Sequence, residues 1–258
     1  MKNLIDKINR NDPWWWLVIA VLILTLFLVF VFPHPYMDFL KFARDGILIT
    51  LLVTFIAFIL MTIFGFIGGI GRTSNNKVYR FISSLYVEIV RGIPLLVHLI
   101  IWYFCLPYIL QKIIPTIQID PLFSAILAIG FCYGAYMSEI VRAGIESVPK
   151  EQIDGGLALG LNRKQNLRYV ILPQGIRNII PPTANEFISL MKDSSLVSTV
   201  AVADLTRRGR EYMSANINPI ETWLMVALIY LIMTLIAARF SKMLERHFSK
   251  STEDSKHL

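Results

Sequence analysis

The chain has 258 residues, of which 55% are hydrophobic and 17% charged, and its mean hydropathy is +0.57. A soluble domain carries about 25% charge, so there is too little here to cover a globular surface; disorder, collagen and coiled coil are excluded, and an ordinary cytosolic enzyme is argued against. Cys105 and Cys132 both fall in apolar runs, which excludes a disulfide framework and a multi-cysteine zinc site. The net charge of +7 fits loop orientation in a membrane better than nucleic-acid binding. The composition is that of an all-α integral membrane protein.

Taken in chain order, Trp14 to Phe32 is a charge-free run of 19 residues. As a helix it spans about 28 Å, close to a hydrocarbon core of roughly 30 Å. It is longer than a signal-peptide core, and Pro33-His34-Pro35 offers no small-residue cleavage site, so it reads as a retained anchor. Gly46 to Gly71 is a second span, long enough to tilt. Gly92 to Gln111 is a third, begun near Phe81, with Glu88 and Arg91 in its first turns; Pro121 to Ser138 is a fourth. Ile179 to Ala203, apolar apart from Glu186, Lys192 and Asp193, is a fifth, and its intramembrane charge has the character of a transport pathway. Thr222 to Ala238 completes six.

With both termini on the cytoplasmic side, inner segments carry 17 Lys/Arg and outer segments 6, as the positive-inside rule requires. Omitting the fifth span would place the basic C-terminal tail outside. Arg207, Arg208 and Arg210 on the proposed outer side are discordant, with Asp204 and Glu211 adjacent. Gly65/Gly69 and Gly130/Gly134 form GxxxG pairs that predict close helix packing within the chain.

Residues 141–178 form the longest polar segment. Pro149 stands at a helix start with Glu151 and Asp154 suited to its N-terminal half. Gly160 is the natural stop of the helix, Arg163, Lys164 and Arg168 surround a second helical turn, and Pro181-Pro182 introduces the fifth span. The sequence 68–73 lacks the lysine and spacing of a phosphate loop, so any ATPase must be another chain.

The run Asp154-Gly155-Gly156, three residues, Gly160, nine residues, Val170, one residue, Leu172-Pro173 resembles the EAA loop of ABC importer permeases. Glu88–Leu96, Glu139–Pro149, Ala158–Leu161 and Ile188–Leu196 are similar to stretches of the bacterial polar amino-acid uptake permeases, over about residues 44–240. Asp154 replaces the usual Glu, and Gly155 and Gly156 replace two alanines, which costs up to about 1 kcal/mol each in helix propensity. The resemblance implies a type I importer fold of five helices with an additional N-terminal helix. It divides the chain into 1–40 (cytoplasmic N-terminus and extra helix), 41–240 (transmembrane domain) and 241–258 (basic cytoplasmic tail). It also implies a multi-pass protein of the bacterial plasma membrane that imports a polar or charged amino acid. The implied partners are ABC ATPase subunits, a second permease copy or homologue, an external amino-acid-binding protein and membrane lipid, with no nucleic acid. No cofactor is expected on this chain, ATP and Mg being held by the ATPase, and the chain is not expected to be an enzyme.

The resemblance assigns a coupling helix at about Lys150 to Leu161. Ile153, Leu157 and Leu161, at i, i+4 and i+8, make one apolar face, and with Asp154, Gly155, Gly156 and Gly160 they are the expected ATPase-coupling residues. The pathway or gate is expected to use Glu88, Arg91, Asn185, Glu186, Ser189, Lys192, Asp193, Ser194 and Ser195. Lys192 and Asp193, neighbours about 100° apart on a helix, require separate partners; a buried ion-pair network at a permease dimer interface is the other reading of these charges. Glu88–Arg91 and Glu139–Arg142 both have i,i+3 ion-pair spacing. His98 is expected to be an interhelical hydrogen-bonding group. Competing functions are a stand-alone secondary transporter using Glu186, Lys192 and Asp193, an intramembrane hydrolase, and a scaffold. No inverted repeat supports the first, and no GxSxG or HExxH motif the second. A scaffold would not need charge in a span.

Overall fold

A computed structural model describes residues 14–253 of the chain, with side chains to 245; the basic residues of 1–13 and 254–258 that enter the loop-charge argument lie outside the described residues. The described residues form helices α1 (Trp15–Val31), α2 (Pro33–Phe42), α3 (Arg44–Arg72), α4 (Lys77–Arg91), α5 (Leu95–Ile113), α6 (Pro121–Glu146), α7 (Lys150–Ala158), α8 (Arg163–Asn166), α9 (Leu172–Asp193), α10 (Leu205–Asn216) and α11 (Pro219–Glu253). Among them, α3, α5, α6 and α11 are long and apolar enough to cross a membrane, and α1 with α2 makes a fifth candidate bent by 110°.

The most extensive contact is α3 on α6. Small residues let these helices approach closely. A Cβ on Gly65 would strike Met137, one on Gly69 would lie 2.5 Å from Val141 Cβ, and one on Gly130 would lie 2.6 Å from Leu60 Cβ. Both GxxxG pairs are therefore packed within the chain. α6 is the central helix, buried along most of its length, whereas α3 and α11 bury one face and turn the other outward. Leu48, Leu52, Phe55 and Ile59 form an exposed apolar stripe along α3, as lipid contact requires.

Several sequence boundaries shift, each for a local reason. The third span does not begin near Phe81, because α4 ends at Arg91 and α5 starts at Leu95. Pro94 has no N–H to give the Val90 carbonyl and keeps Ile93 out of helical geometry. Buried His98 fills that gap, its Nε2 donating to Val90 O at 3.1 Å, which is the interhelical role expected of it. The fifth apolar segment is also organised differently. α9 starts at Leu172, contains Pro181 and Pro182 inside it, and ends at Asp193; Ser194–Thr199 is a 3-10 turn. α9 is not among the helices that meet the length and apolarity needed for a span. α11 continues through residue 240 to Glu253 without a break.

Wide π turns at Ile101–Cys105 and Leu167–Ile171 each end two residues before a proline, Pro107 and Pro173. Each turn opens the helix where the proline ring would otherwise meet the carbonyl four residues back.

Candidate functional site

Two regions bring the expected residues together. The first is the polar connection between α6 and α9. α7 is a nine-residue helix closed by a paired C-terminal turn: Gly160 N–H donates to Leu157 O at 2.9 Å and Leu161 N–H to Gly156 O at 3.1 Å. Gly160 sits at φ +82°, the left-handed region in which glycine carries no Cβ penalty. Asn162 then opens α8 with a capping box, exchanging hydrogen bonds with Gln165 at 3.0 and 2.9 Å.

The two glycines of α7 have different surroundings. A Cβ on Gly155 would meet nothing within 4 Å, whereas one on buried Gly156 would lie 2.5 Å from Asn166 Oδ1 and 3.2 Å from Val170 Cγ2. Asn166 is 2% exposed, and its Nδ2 donates to Ile153 O at 2.7 Å, stitching α7 to α8. Gly156 is thus a packing requirement within the chain, and Gly155 belongs to the open face. Asp154, Leu157 and Leu159 are exposed, Leu159 at 85%, while Ile153 and Leu161 are half-buried. The outward apolar surface is therefore carried by Leu157 and Leu159 more than by the full 153/157/161 stripe.

The α7 end of the bundle is tied together by charge. Arg72, at the end of α3, pairs with Glu139 of α6; Glu139 also pairs with Arg142, which pairs in turn with Glu146. The Glu139–Arg142 spacing forms its expected ion pair, but Glu88 and Arg91 do not pair with each other. Glu88 lies 4.0 Å from Arg72, and Arg91 stacks over the Tyr136 ring at 5.3 Å. Arg72 counts as a loop cation in the sequence, yet its side chain is largely buried where the end of α3 meets α6.

The second region surrounds the end of α9. Asp193 accepts a hydrogen bond from Tyr133 Oη at 2.7 Å, and Glu186 is half-buried on the same helix. Lys192 is exposed and has no carboxylate partner among the described residues. Lys192 and Asp193 therefore diverge, as their adjacency demands, and no ion-pair network joins them within the described residues. Asn185 is exposed, and Ser189 and Ser195 are half-buried. Ser194 is fully buried, donates to Met191 O at 2.8 Å and lies 3.5 Å from Thr54 Oγ1, so it fastens the end of α9 to α3 and does not line an opening. Tyr133 and Tyr136 were not singled out in the sequence; hydroxyl-bearing rings spaced at i,i+3 within an apolar run were the signal available.

At the opposite end of α3, buried Asp204 caps α10 by accepting from the Thr206 and Arg207 N–H groups at 3.1 and 3.0 Å. Arg207 bonds Glu211 at 3.0 Å, Arg208 bonds Glu211 at 2.7 Å and also pairs with Asp45, and Arg210 donates to Ser198 O at 2.7 Å. The discordant arginine run is thus locally compensated. Arg207, and then Arg208, hold the Glu211 carboxyl below the usual glutamate range, while burial pushes Asp204 up against its capping bonds.

Residues 61–250 match the family described as the binding-protein-dependent transport system inner membrane component. The chain belongs to this family. The permease is 35% identical over 202 residues to the glutamine transport system permease protein of Escherichia coli strain K12, covering 78% of this chain and 90% of that one. It is 36% identical over 214 residues to the L-cystine transport system permease protein of Bacillus subtilis strain 168, covering 83% and 89%. A crystal structure of an amino acid ABC transporter with histidines superposes with a TM-score of 0.75 at 32% identity, covering 82% of the permease and 96% of that chain. The MetNI methionine ABC transporter in an inward-facing conformation shares the fold, with a TM-score of 0.62 at 22% identity over 80% and 98% of the two chains. These relatives are membrane subunits of ABC transporters, so the family is one of transport subunits and not of enzymes, and the stand-alone secondary-transporter reading finds no support among them.

Proposed function

We propose that this permease moves a polar or charged amino acid into the bacterial cell, driven by separate ATPase chains that dock on α7. The single observation that carries the substrate class is its 35–36% identity, over most of its length, to permeases named for glutamine and L-cystine transport. In this reading two permeases, alike or homologous, face one another and receive the amino acid from an external binding protein. The ATPases hold ATP and Mg and act from the cytoplasmic side, where both termini of the permease also lie.

The geometry supports a defined transmission route. α7 offers Asp154, Gly155, Leu157 and Leu159 as an exposed face, and its other face is fixed to α8 through Gly156 and Asn166. A push on the exposed face is therefore passed to α8 and, through the continuous turn at 167–171, to α9. α9 carries Glu186, Lys192 and Asp193, so movement of α7 reaches the charged region without crossing a flexible link. Lys192, exposed and unpaired among the described residues, is suited to the carboxylate of an amino acid or to a group on the second permease.

The test is mild-detergent purification of the tagged chain from its native membrane, with mass spectrometry of the partners, followed by uptake of radiolabelled amino acids in reconstituted vesicles. ATP-dependent uptake of a polar amino acid by a complex containing a Walker-motif ATPase is expected. Recovery of the permease with no ATPase, under conditions that preserve a control ABC complex, would overturn the proposal.

A further inference from the structure

The end of α3 remote from α7 carries a second cluster of charge, apart from α7 and the end of α9. Lys41, Phe42, Arg44, Asp45, Leu48 and Arg208 line an open surface cavity of about 420 Å³ where α2, α3 and α10 meet. Its position is fixed by close packing. A Cβ on Gly46 would lie 2.7 Å from Arg208 Cγ, Leu205 N–H donates to Thr50 Oγ1 at 3.1 Å, and Tyr212 packs edge-on against Phe39 and at a tilt against Phe42. Arg208 is already held by Asp45 and Glu211 and lies over the Phe42 ring at 5.6 Å. Lys41 and Arg44 are exposed and pair with no carboxylate among the described residues. Two cations that form no ion pair among the described residues therefore line one cavity, beside the Arg208–Asp45 pair.

The apolar part of the cavity identifies what those cations meet. Leu48 is its lower wall, and below it Leu52, Phe55 and Ile59 continue one exposed stripe down the lipid face of α3. Arg44 is the first residue of the 29-residue helix, so the cations stand at headgroup depth and the stripe at acyl-chain depth. A soluble anion would use the charges and leave the stripe idle; a lipid with a phosphate head uses both.

We propose that Lys41 and Arg44, with Phe42 and Leu48 as the wall, bind the headgroup of an anionic phospholipid in the leaflet remote from α7. Lys41 and Phe42 come from α2, Arg44 and Leu48 from α3 and Arg208 from α10, so the site is built where these three helices meet.

The intact transporter complex, delipidated in detergent, is to be titrated with phosphatidylglycerol or with phosphatidylcholine of identical acyl chains, and lipid retained per permease read by native mass spectrometry. Each basic residue at an anionic lipid surface contributes roughly a fivefold preference, so phosphatidylglycerol is expected to be retained about tenfold or more over phosphatidylcholine. Lys41→Gln/Arg44→Gln is expected to abolish that preference in an assembled complex, and the charge-keeping Lys41→Arg/Arg44→Lys to retain it. Equal preference in the Gln variant would overturn the site, as would an equal loss in Lys112→Gln, which removes a cation elsewhere on the same side. A Gln variant that keeps its lipids but loses binding-protein capture would assign the surface to protein docking and equally defeat the proposal.

Discussion

Replacing Gly156 by alanine sets two effects against each other. In an exposed helix the change is favourable by about 1 kcal/mol, because alanine loses less backbone entropy. Here the new methyl would lie 2.5 Å from Asn166 Oδ1, and Asn166 is too buried to swing into solvent. Moving it breaks the 2.7 Å bond from Nδ2 to Ile153 O. Leaving that buried amide and carbonyl unpaired costs about 1–3 kcal/mol. Gly156→Ala is therefore expected to be destabilising on balance, by up to about 2 kcal/mol. Gly155→Ala, with open space around its Cβ, should be neutral or stabilising by up to about 1 kcal/mol. The assay is transport-coupled ATPase activity in reconstituted vesicles, together with hydrogen exchange of the 150–171 segment. Gly156→Ala should raise exchange there and depress coupling, and Asn166→Ala in the same chain should make the two losses less than additive. Equal behaviour of the two glycine variants, or strict additivity with Asn166→Ala, would refute the stitch between α7 and α8.

Three further predictions test the charged regions. Tyr133→Phe removes the 2.7 Å donor from Asp193 and should reduce transport at unchanged membrane insertion, whereas Glu245→Gln on α11 should not; equal uptake in both would remove Asp193 from the pathway. Arg72→Met strips Glu139 of one partner and should cost about 1.5–3 kcal/mol in thermal unfolding of the purified complex, with Arg72→Met/Glu139→Met recovering part of it; no recovery would show that the pair is not the source of the loss. Because Arg207 and Arg208 hold Glu211 below its usual range, its contribution to stability is present above about pH 4.5 and is lost as pH falls through the lowered value. The difference between wild type and Glu211→Gln in thermal stability should therefore shrink on acidification, Asp204 acting with the opposite sign in both proteins; a constant difference would contradict this.

Much of the architecture was legible because hydrophobic length reports directly on which helices can cross a membrane. The span 46–71 emerges as Arg44–Arg72, and 121–138 as the start of Pro121–Glu146, whose added turns carry Glu139 and Glu146 paired with Arg72 and Arg142. Gly160 ends α7 because the stop needs a positive φ that its residue type announces. Tertiary partners were less accessible. Nothing local says that Gly156 faces Asn166 while Gly155 faces open space, since adjacent helical residues look alike until a neighbour is placed. The bounds of the segment 179–203 were not legible for a similar reason: its two prolines read as an entry signal, but they sit inside α9, which begins at Leu172 directly after a π turn. Ser194 was legible as polar but not as a fastening, because its partners, Met191 O and Thr54, are set by packing.

The central claim is that force from an ATPase enters through α7, and a site-specific cross-link tests it most directly. A photoreactive residue placed at Leu159, 85% exposed beside the capped end of the helix, should capture an ATPase chain in native membranes, and the yield should change when ATP is bound. The same probe at Ile217, 87% exposed at the end of α10, should not capture it. Capture of the ATPase at Ile217 and not at Leu159 would contradict the account.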